Sequence, residues 1–189
     1  MKSKAVFLDR DGTVIKHVDF LTRKSELRIL SGVPEAIKTL NEQGFLIIII
    51  TNQPVIARGL ITLKGVERLH GFLVKRLRKR GAVVDAIYFC PHHPKATLPE
   101  YRKRCHCRKP RTGMLKAAIK EYGIDPKKSF MVGDALIDIV VGKRAHLKTI
   151  LAKTGPGHER LDKKYKKIRP DFTAENLTEA ARLIMRFRK

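Results

Sequence analysis

The chain has 189 residues, enough for one domain with a sizeable core and short for two full ones. It carries no apolar run near the roughly 20 residues that span a bilayer, and no signal-peptide pattern, so a cytoplasmic location and no membrane partner are expected. A formal net charge of +23, from 41 Lys+Arg against 18 Asp+Glu, predicts attraction to polyanions and to phosphorylated small molecules.

The first element, Ala5 to Leu8, reads as a buried strand that runs directly into Asp9-Arg10-Asp11-Gly12-Thr13. In an open parallel sheet, ligands bind beyond the carboxyl ends of the strands, so acids placed there point into the expected crevice. Asp9 and Asp11 are two apart and share one side while the backbone stays extended. One carboxylate can then attack phosphorus while the other handles the proton, and a divalent cation would relieve their repulsion. Phosphoryl transfer is therefore the leading chemistry.

A polar loop, Lys16 to Arg28, leads to Pro34 and a helical pattern through Ala36, Ile37 and Leu40 that stops at Gly44. Phe45 to Ile50 is a continuous apolar run, the profile of a parallel strand covered on both faces, and it ends at Thr51-Asn52-Gln53. A helix from about Leu63 to Arg80 follows. Its apolar positions Leu69, Phe72, Leu73 and Leu77 leave Lys75, Arg76, Arg78, Lys79 and Arg80 mostly on the other side. No aromatic residues interleave that run, so it reads as a solvated basic face before a nucleic-acid groove, with non-specific nucleic-acid binding expected from charge alone.

Ala82 to Phe89 reads as a third strand, Cys90 to Arg111 as an inserted Pro/His/Cys-rich loop, and Gly113 to Tyr122 as a helix. Ser129 to Val132 makes a fourth strand ending in Gly133-Asp134, with Asp138 four residues on, and Lys148 to Ala152 a fifth, ending near Thr154-Gly155. Lys163 to Arg169 reads as a mobile basic loop and Glu175 to Phe187 as a terminal helix. Alternating strands and helices imply a single α/β domain over residues 1–189: a three-layer sandwich with a parallel, Rossmann-like sheet and no large cap domain.

Polar groups thus end three separate strands: Asp9 and Asp11, Thr51 and Asn52, and Asp134 with Asp138. Arg108-Lys109, just before the helix at Gly113, supplies the cations that phosphoryl oxygens need. The chain has three cysteines, all between positions 90 and 107; an odd number in one loop suggests metal before disulfides.

DRDGT at Asp9, TNQ at Thr51, RKP at Arg108 and GDxxxD from Gly133 to Asp138, in that order, resemble the haloacid dehalogenase (HAD) superfamily of phosphatases. With the loop CPHHP…CHCRKP included, the chain is similar to the branch holding the heptose 1,7-bisphosphate and histidinol-phosphate phosphatases. The resemblance implies a Mg²⁺-dependent phosphomonoesterase of a small phosphorylated metabolite, with heptose 1,7-bisphosphate ahead of histidinol phosphate. A nucleic-acid 3′-phosphatase is the alternative that would suit the charge. It further implies Asp9 as nucleophile, Asp11 as general acid and then base, and Thr51 and Lys109 as holders of the phosphoryl oxygens. Magnesium would be bound by the Asp9 carboxylate, the Asp11 carbonyl and Asp134, supported by Asp138. Asn52, Arg58 and Arg108 are the implied substrate contacts, and Cys90, His92, Cys105 and Cys107 the implied structural zinc ligands, with His93 and His106 as competing rings. A monomer is expected. The chain departs from that group at Pro54, at Ala135 and in Lys16 to Leu21, which lacks the group's Gly-Tyr pair.

Overall fold

The computed structural model describes residues 2–159, 165 and 167–187. Strand β1 (Lys4–Leu8) lies at the centre of a parallel sheet, between β2 (Phe45–Asn52) and β4 (Phe130–Gly133). Adding β3 (Ala86–Cys90), β5 (Lys148–Ala152) and β6 (Phe172–Ala174) gives the order β3-β2-β1-β4-β5-β6. The chain therefore builds outward on one side of β1, then returns to place β4 on the other. That reversal opens a crevice beyond the carboxyl ends of β1, β2 and β4, where the register aligns Leu8 with Ile49 and with Val132.

The two-residue period of the strands sorts their side chains into two cores. Val6, Leu8, Ile47 and Ile49 face one side, covered by α1 (Val33–Glu42), α3 (Leu63–Arg78) and α6 (Leu177–Met185). Ala5, Phe7, Ile48 and Ile50 face the other, covered by α4 (Gly113–Glu121) and by α5 (Leu136–Arg144) with the turn after it. A short helix, α2 (Pro54–Ala57), follows β2. Full burial of each large side chain in these layers stabilises the fold by about 1.5–3 kcal/mol. Helix α1 stops where the sequence pattern does: Gly44 follows it at φ 75°, a left-handed conformation that a Cβ would strain.

The α/β sandwich with its parallel sheet is as expected, and several details differ. The third strand begins at Ala86, not Ala82; just before it Asp85 clasps Ile47, donating its N–H to the Ile47 carbonyl at 2.8 Å and accepting the Ile47 N–H through its carboxylate at 2.7 Å. Helices α2 and α5 and strand β6 were not expected. The apolar residues of α5 lack a one-sided stripe, since Leu136, Ile139, Val140 and Val141 are all buried, and β6 has only three residues. The terminal helix starts at Leu177, after Asn176 caps it by accepting the Glu179 N–H at 3.0 Å. Of the basic loop expected at Lys163 to Arg169, residues 163, 164 and 166 lie outside the described residues.

Candidate active site

Three strand ends and one loop converge on a cavity of about 370 Å³. Its floor holds Asp9, Asp11, Thr51, Asn52, Lys109, Asp134 and Asp138, and its walls include His17 to Leu21. Lys109, only 4% exposed, is its hub. Its Nζ donates to Asp9 Oδ1 and to Asp138 Oδ1, each at 2.6 Å, and to the Ile50 carbonyl at 3.1 Å. Burial opposes that ammonium, but the Asp138 and Asp9 carboxylates outweigh it and raise the Lys109 pKa above the ordinary lysine range.

Three buried carboxylates lie around this cation, two of them bonded to it. Burial, with Asp138 and Asp11 adding to it against the pull of Lys109, pushes Asp9 up to about 7. Burial and then the Asp9 charge push Asp134 up to about 6. Asp138 is raised as well, by burial first. Both oxygens of Asp138 are engaged, one by Lys109 and the other by the Ala135 N–H at 3.3 Å. Asp134 accepts the Gly157 N–H at 3.0 Å. Ligand atoms of Asp9, Asp134 and Asp138 lie within 4.8 Å of one another. Around Asp134 the backbone is stripped of side chains: a Cβ on Gly12, Gly155 or Gly157 would come within 2.7 Å of its Oδ2. An oxygen-rich site with excess negative charge and cleared space fits a hard divalent cation, which would favour both ionised carboxylates.

Asp11 lies in a neighbouring network. Its carboxylate accepts from Arg10 Nη2 at 2.9 and 3.0 Å and from Gln53 Nε2 at 3.0 Å, with Thr51 Oγ1 at 3.5 Å. Gln53 Nε2 also donates to Thr51 Oγ1 at 2.8 Å. Arg10 is buried, and its Nη1 lies 3.0 Å from His70 Nε2. A guanidinium only donates, so His70 accepts through Nε2 and carries its proton on Nδ1. Burial, aided by the Arg10 charge, depresses the His70 pKa to about 3. Arg10, Gln53 and His70 were not singled out in the sequence. The first two sit inside the motifs themselves, whereas His70, 60 residues from Arg10 on α3, carries no local signal.

Asn52 lines the cavity, but its amide is occupied by the Lys109 backbone: the Lys109 N–H donates to Oδ1 at 3.0 Å and Nδ2 donates to the Lys109 carbonyl at 3.3 Å. Arg58 and Arg108 are not among the lining residues. Arg108 donates to the His92 carbonyl at 3.1 Å, and Arg58 lies over the Phe20 ring.

Cys90, His92, Cys105 and Cys107 come together in the inserted loop. The sulfurs of Cys90 and Cys105 each lie 3.1 Å from that of Cys107 and 3.4 Å from each other, and His92 Nδ1 is 3.4 Å from Cys107 Sγ. These separations are too long for disulfides, at about 2 Å, and somewhat shorter than the roughly 3.8 Å edge of a zinc–thiolate tetrahedron. Burial pushes the Cys90 and Cys107 thiols up; burial of Cys105 is outweighed by hydrogen bonds from Cys107 and Cys90, which pull it down. Three thiols and an imidazole form a donor set that suits zinc. His93 and His106 stand outside this group among the described residues, and His93 Nδ1 accepts the Lys95 N–H at 3.1 Å.

Carboxylates gathered around a buried lysine at the switch point of a parallel sheet define an enzyme of phosphate chemistry. A family model described as HAD-hydrolase-like matches residues 106–180. A D-glycero-beta-D-manno-heptose-1,7-bisphosphate 7-phosphatase of Haemophilus ducreyi is 41% identical over 82% of this chain and 86% of its own. A D-glycero-D-manno-heptose-1,7-bisphosphate 7-phosphatase of Chlorobaculum tepidum is 39% identical over 94% and 92%. The crystal structure of D,D-heptose 1,7-bisphosphate phosphatase from B. bronchiseptica, complexed with magnesium and phosphate, superposes with a TM-score of 0.85 at 30% identity, covering 97% of this chain and 98% of that one. The chain belongs to the HAD-like hydrolases, within the group of heptose bisphosphate phosphatases.

Proposed function

We propose that this enzyme removes the 7-phosphate of D-glycero-D-manno-heptose 1,7-bisphosphate, the reaction for which its relatives are named. The observation that carries the chemistry is Lys109, buried between Asp9 and Asp138 on the cavity floor. Asp9 is the nucleophile: its carboxylate oxygen bonds to phosphorus as the ester oxygen leaves, giving an acyl phosphate and an alcohol. Asp11 gives the departing alcohol its proton, then takes one from the water that attacks phosphorus and frees Asp9 and phosphate. Thr51 and Lys109 hold the phosphoryl oxygens, and Asp138 keeps Lys109 in place. Asp9, the Asp11 carbonyl and Asp134 would hold magnesium, which would supply positive charge to the transferring phosphoryl group. Arg58 and Arg108 meet the substrate at the rim. Zinc, held by Cys90, His92, Cys105 and Cys107, orders the loop that delivers Arg108 and Lys109. A cytoplasmic monomer acting as one domain belongs to the same reading; among the described residues no helix is long and apolar enough to cross a membrane.

The test is a comparison of kcat/KM for heptose 1,7-bisphosphate, histidinol phosphate and a 3′-phosphorylated oligonucleotide. The bisphosphate is expected to lead. The net charge of +23 favours DNA binding, but that binding should collapse with added salt by counterion release, while hydrolysis of the small substrate changes much less. A tenfold preference for the oligonucleotide near physiological ionic strength would overturn the assignment.

A further inference from the structure

The wall of the cavity contains an aromatic residue in an unusual place. Phe20 takes φ 59°, a left-handed conformation uncommon for any residue but glycine and rarer for a bulky one. It is 40% exposed and lines the cavity, while the next residue, Leu21, is buried in the core. The loop is therefore pinned by Leu21 and turns Phe20 outward, where the ring gains little from burial. Backbone strain combined with an exposed aromatic ring at a cavity mouth calls for a contact that uses the ring. That contact is Arg58, whose guanidinium carbon lies 4.4 Å from the ring centroid.

Arg58 ends helix α2, and its N–H donates to the Pro54 carbonyl at 3.1 Å, so its main chain is fixed to the carboxyl end of β2. Its side chain crosses from there to the loop that follows β1. Among the described residues it makes no ion pair. Phe20 lines the cavity and Arg58 does not, so the ring is what brings the Arg58 cation beside the mouth, where the far end of a substrate seated on the floor would emerge.

We propose that Phe20 is a positioning residue for specificity: it holds the Arg58 guanidinium across the mouth to receive the second, distal phosphate of a bisphosphate substrate. The inference rests on the substrate reading given above. A flat ring suits this task because it fixes the plane of the guanidinium without neutralising it, as a carboxylate would. The distal phosphate is unchanged by the reaction, so its recognition should appear in KM and leave kcat nearly untouched.

The test uses Phe20→Ala, Phe20→Tyr, Arg58→Ala and the Phe20/Arg58 double alanine variant, each assayed on heptose 1,7-bisphosphate and on heptose 7-phosphate. For the bisphosphate, Phe20→Ala is expected to raise KM about three- to tenfold, the range of a cation–π contact, with kcat within twofold of wild type. Phe20→Tyr should restore the wild-type KM. The double variant should be no worse than Arg58→Ala, and Phe20→Ala should leave KM for the monophosphate unchanged. Circular dichroism reports whether each variant is folded. A wild-type enzyme that does not favour the bisphosphate over the 7-phosphate would overturn the substrate reading itself. A wild-type preference that survives Phe20→Ala, or additive losses in the double variant, would overturn only the role of Phe20.

Discussion

Asn52 grips the main chain of Lys109 at both ends of its amide, accepting from the N–H at 3.0 Å and donating to the carbonyl at 3.3 Å. A residue at the end of β2 thereby fixes one that lies 57 positions later, two residues beyond the last thiol of the metal-binding loop. The hub of the site is thus anchored twice, by the sheet through Asn52 and by the loop through Cys107.

Asn52→Ala leaves the part-buried Lys109 N–H without its acceptor, which costs about 1–3 kcal/mol. It also loosens the lysine that holds Asp9, so kcat is expected to fall roughly tenfold or more, since small displacements of a positioned group are expensive. Thermal unfolding and steady-state kinetics check both parts; a variant with wild-type kcat would show that the clasp is dispensable for positioning.

Asp9→Asn should keep the fold and lose turnover, because an amide cannot form the acyl phosphate. Asp11→Asn should slow the reaction by roughly 10²–10⁴-fold, with the larger losses on substrates whose leaving alcohols are poor. Circular dichroism alongside activity measurements separates these effects from unfolding. One tenth of wild-type activity in Asp9→Asn would transfer the nucleophile's role elsewhere.

The purified protein should contain one zinc per chain by elemental analysis, bound through Cys90, His92, Cys105 and Cys107. Cys107→Ser should release it and lower activity by displacing Arg108 and Lys109, while the sheet, built from other segments, remains folded. Unchanged kinetics in a zinc-free sample would sever the link between loop and site.

His70 gives the stability a defined pH dependence. Its folded pKa, about 3, lies below the unfolded value near 6.5, so between those limits the unfolded chain binds a proton that the native one does not. Stability therefore falls as pH drops from about 6.5 toward 3, by up to roughly 1.4 kcal/mol per pH unit from this residue. His70→Gln retains an acceptor for Arg10 without the titration, and its acid limb should be shallower when urea midpoints are measured across that range. Equal slopes in the two proteins would show that His70 is not the group responsible.

The order of most elements, and most of the residues that meet at the cavity, were legible in the chain itself. Apolar runs such as Phe45 to Ile50 can only be buried between two layers, and a parallel sheet delivers whatever follows each strand to the same edge, so Asp9, Thr51 and Asp134 were bound to meet. The cluster of Cys90, Cys105 and Cys107 was equally plain in one loop. Folding decided the rest. Helix α5 has no one-sided stripe to reveal it, because its neighbours bury most of its circumference. The choice of His92 over His93 depends on which ring turns toward the three sulfurs, and Asn52 became a clasp rather than a free cavity group only because the loop brought the Lys109 backbone beside it. The pairing of His70 with Arg10 and of Phe20 with Arg58 joins residues from separate elements. A local pattern specifies which face of its own element is apolar; which distant side chain stands opposite is settled when the layers pack.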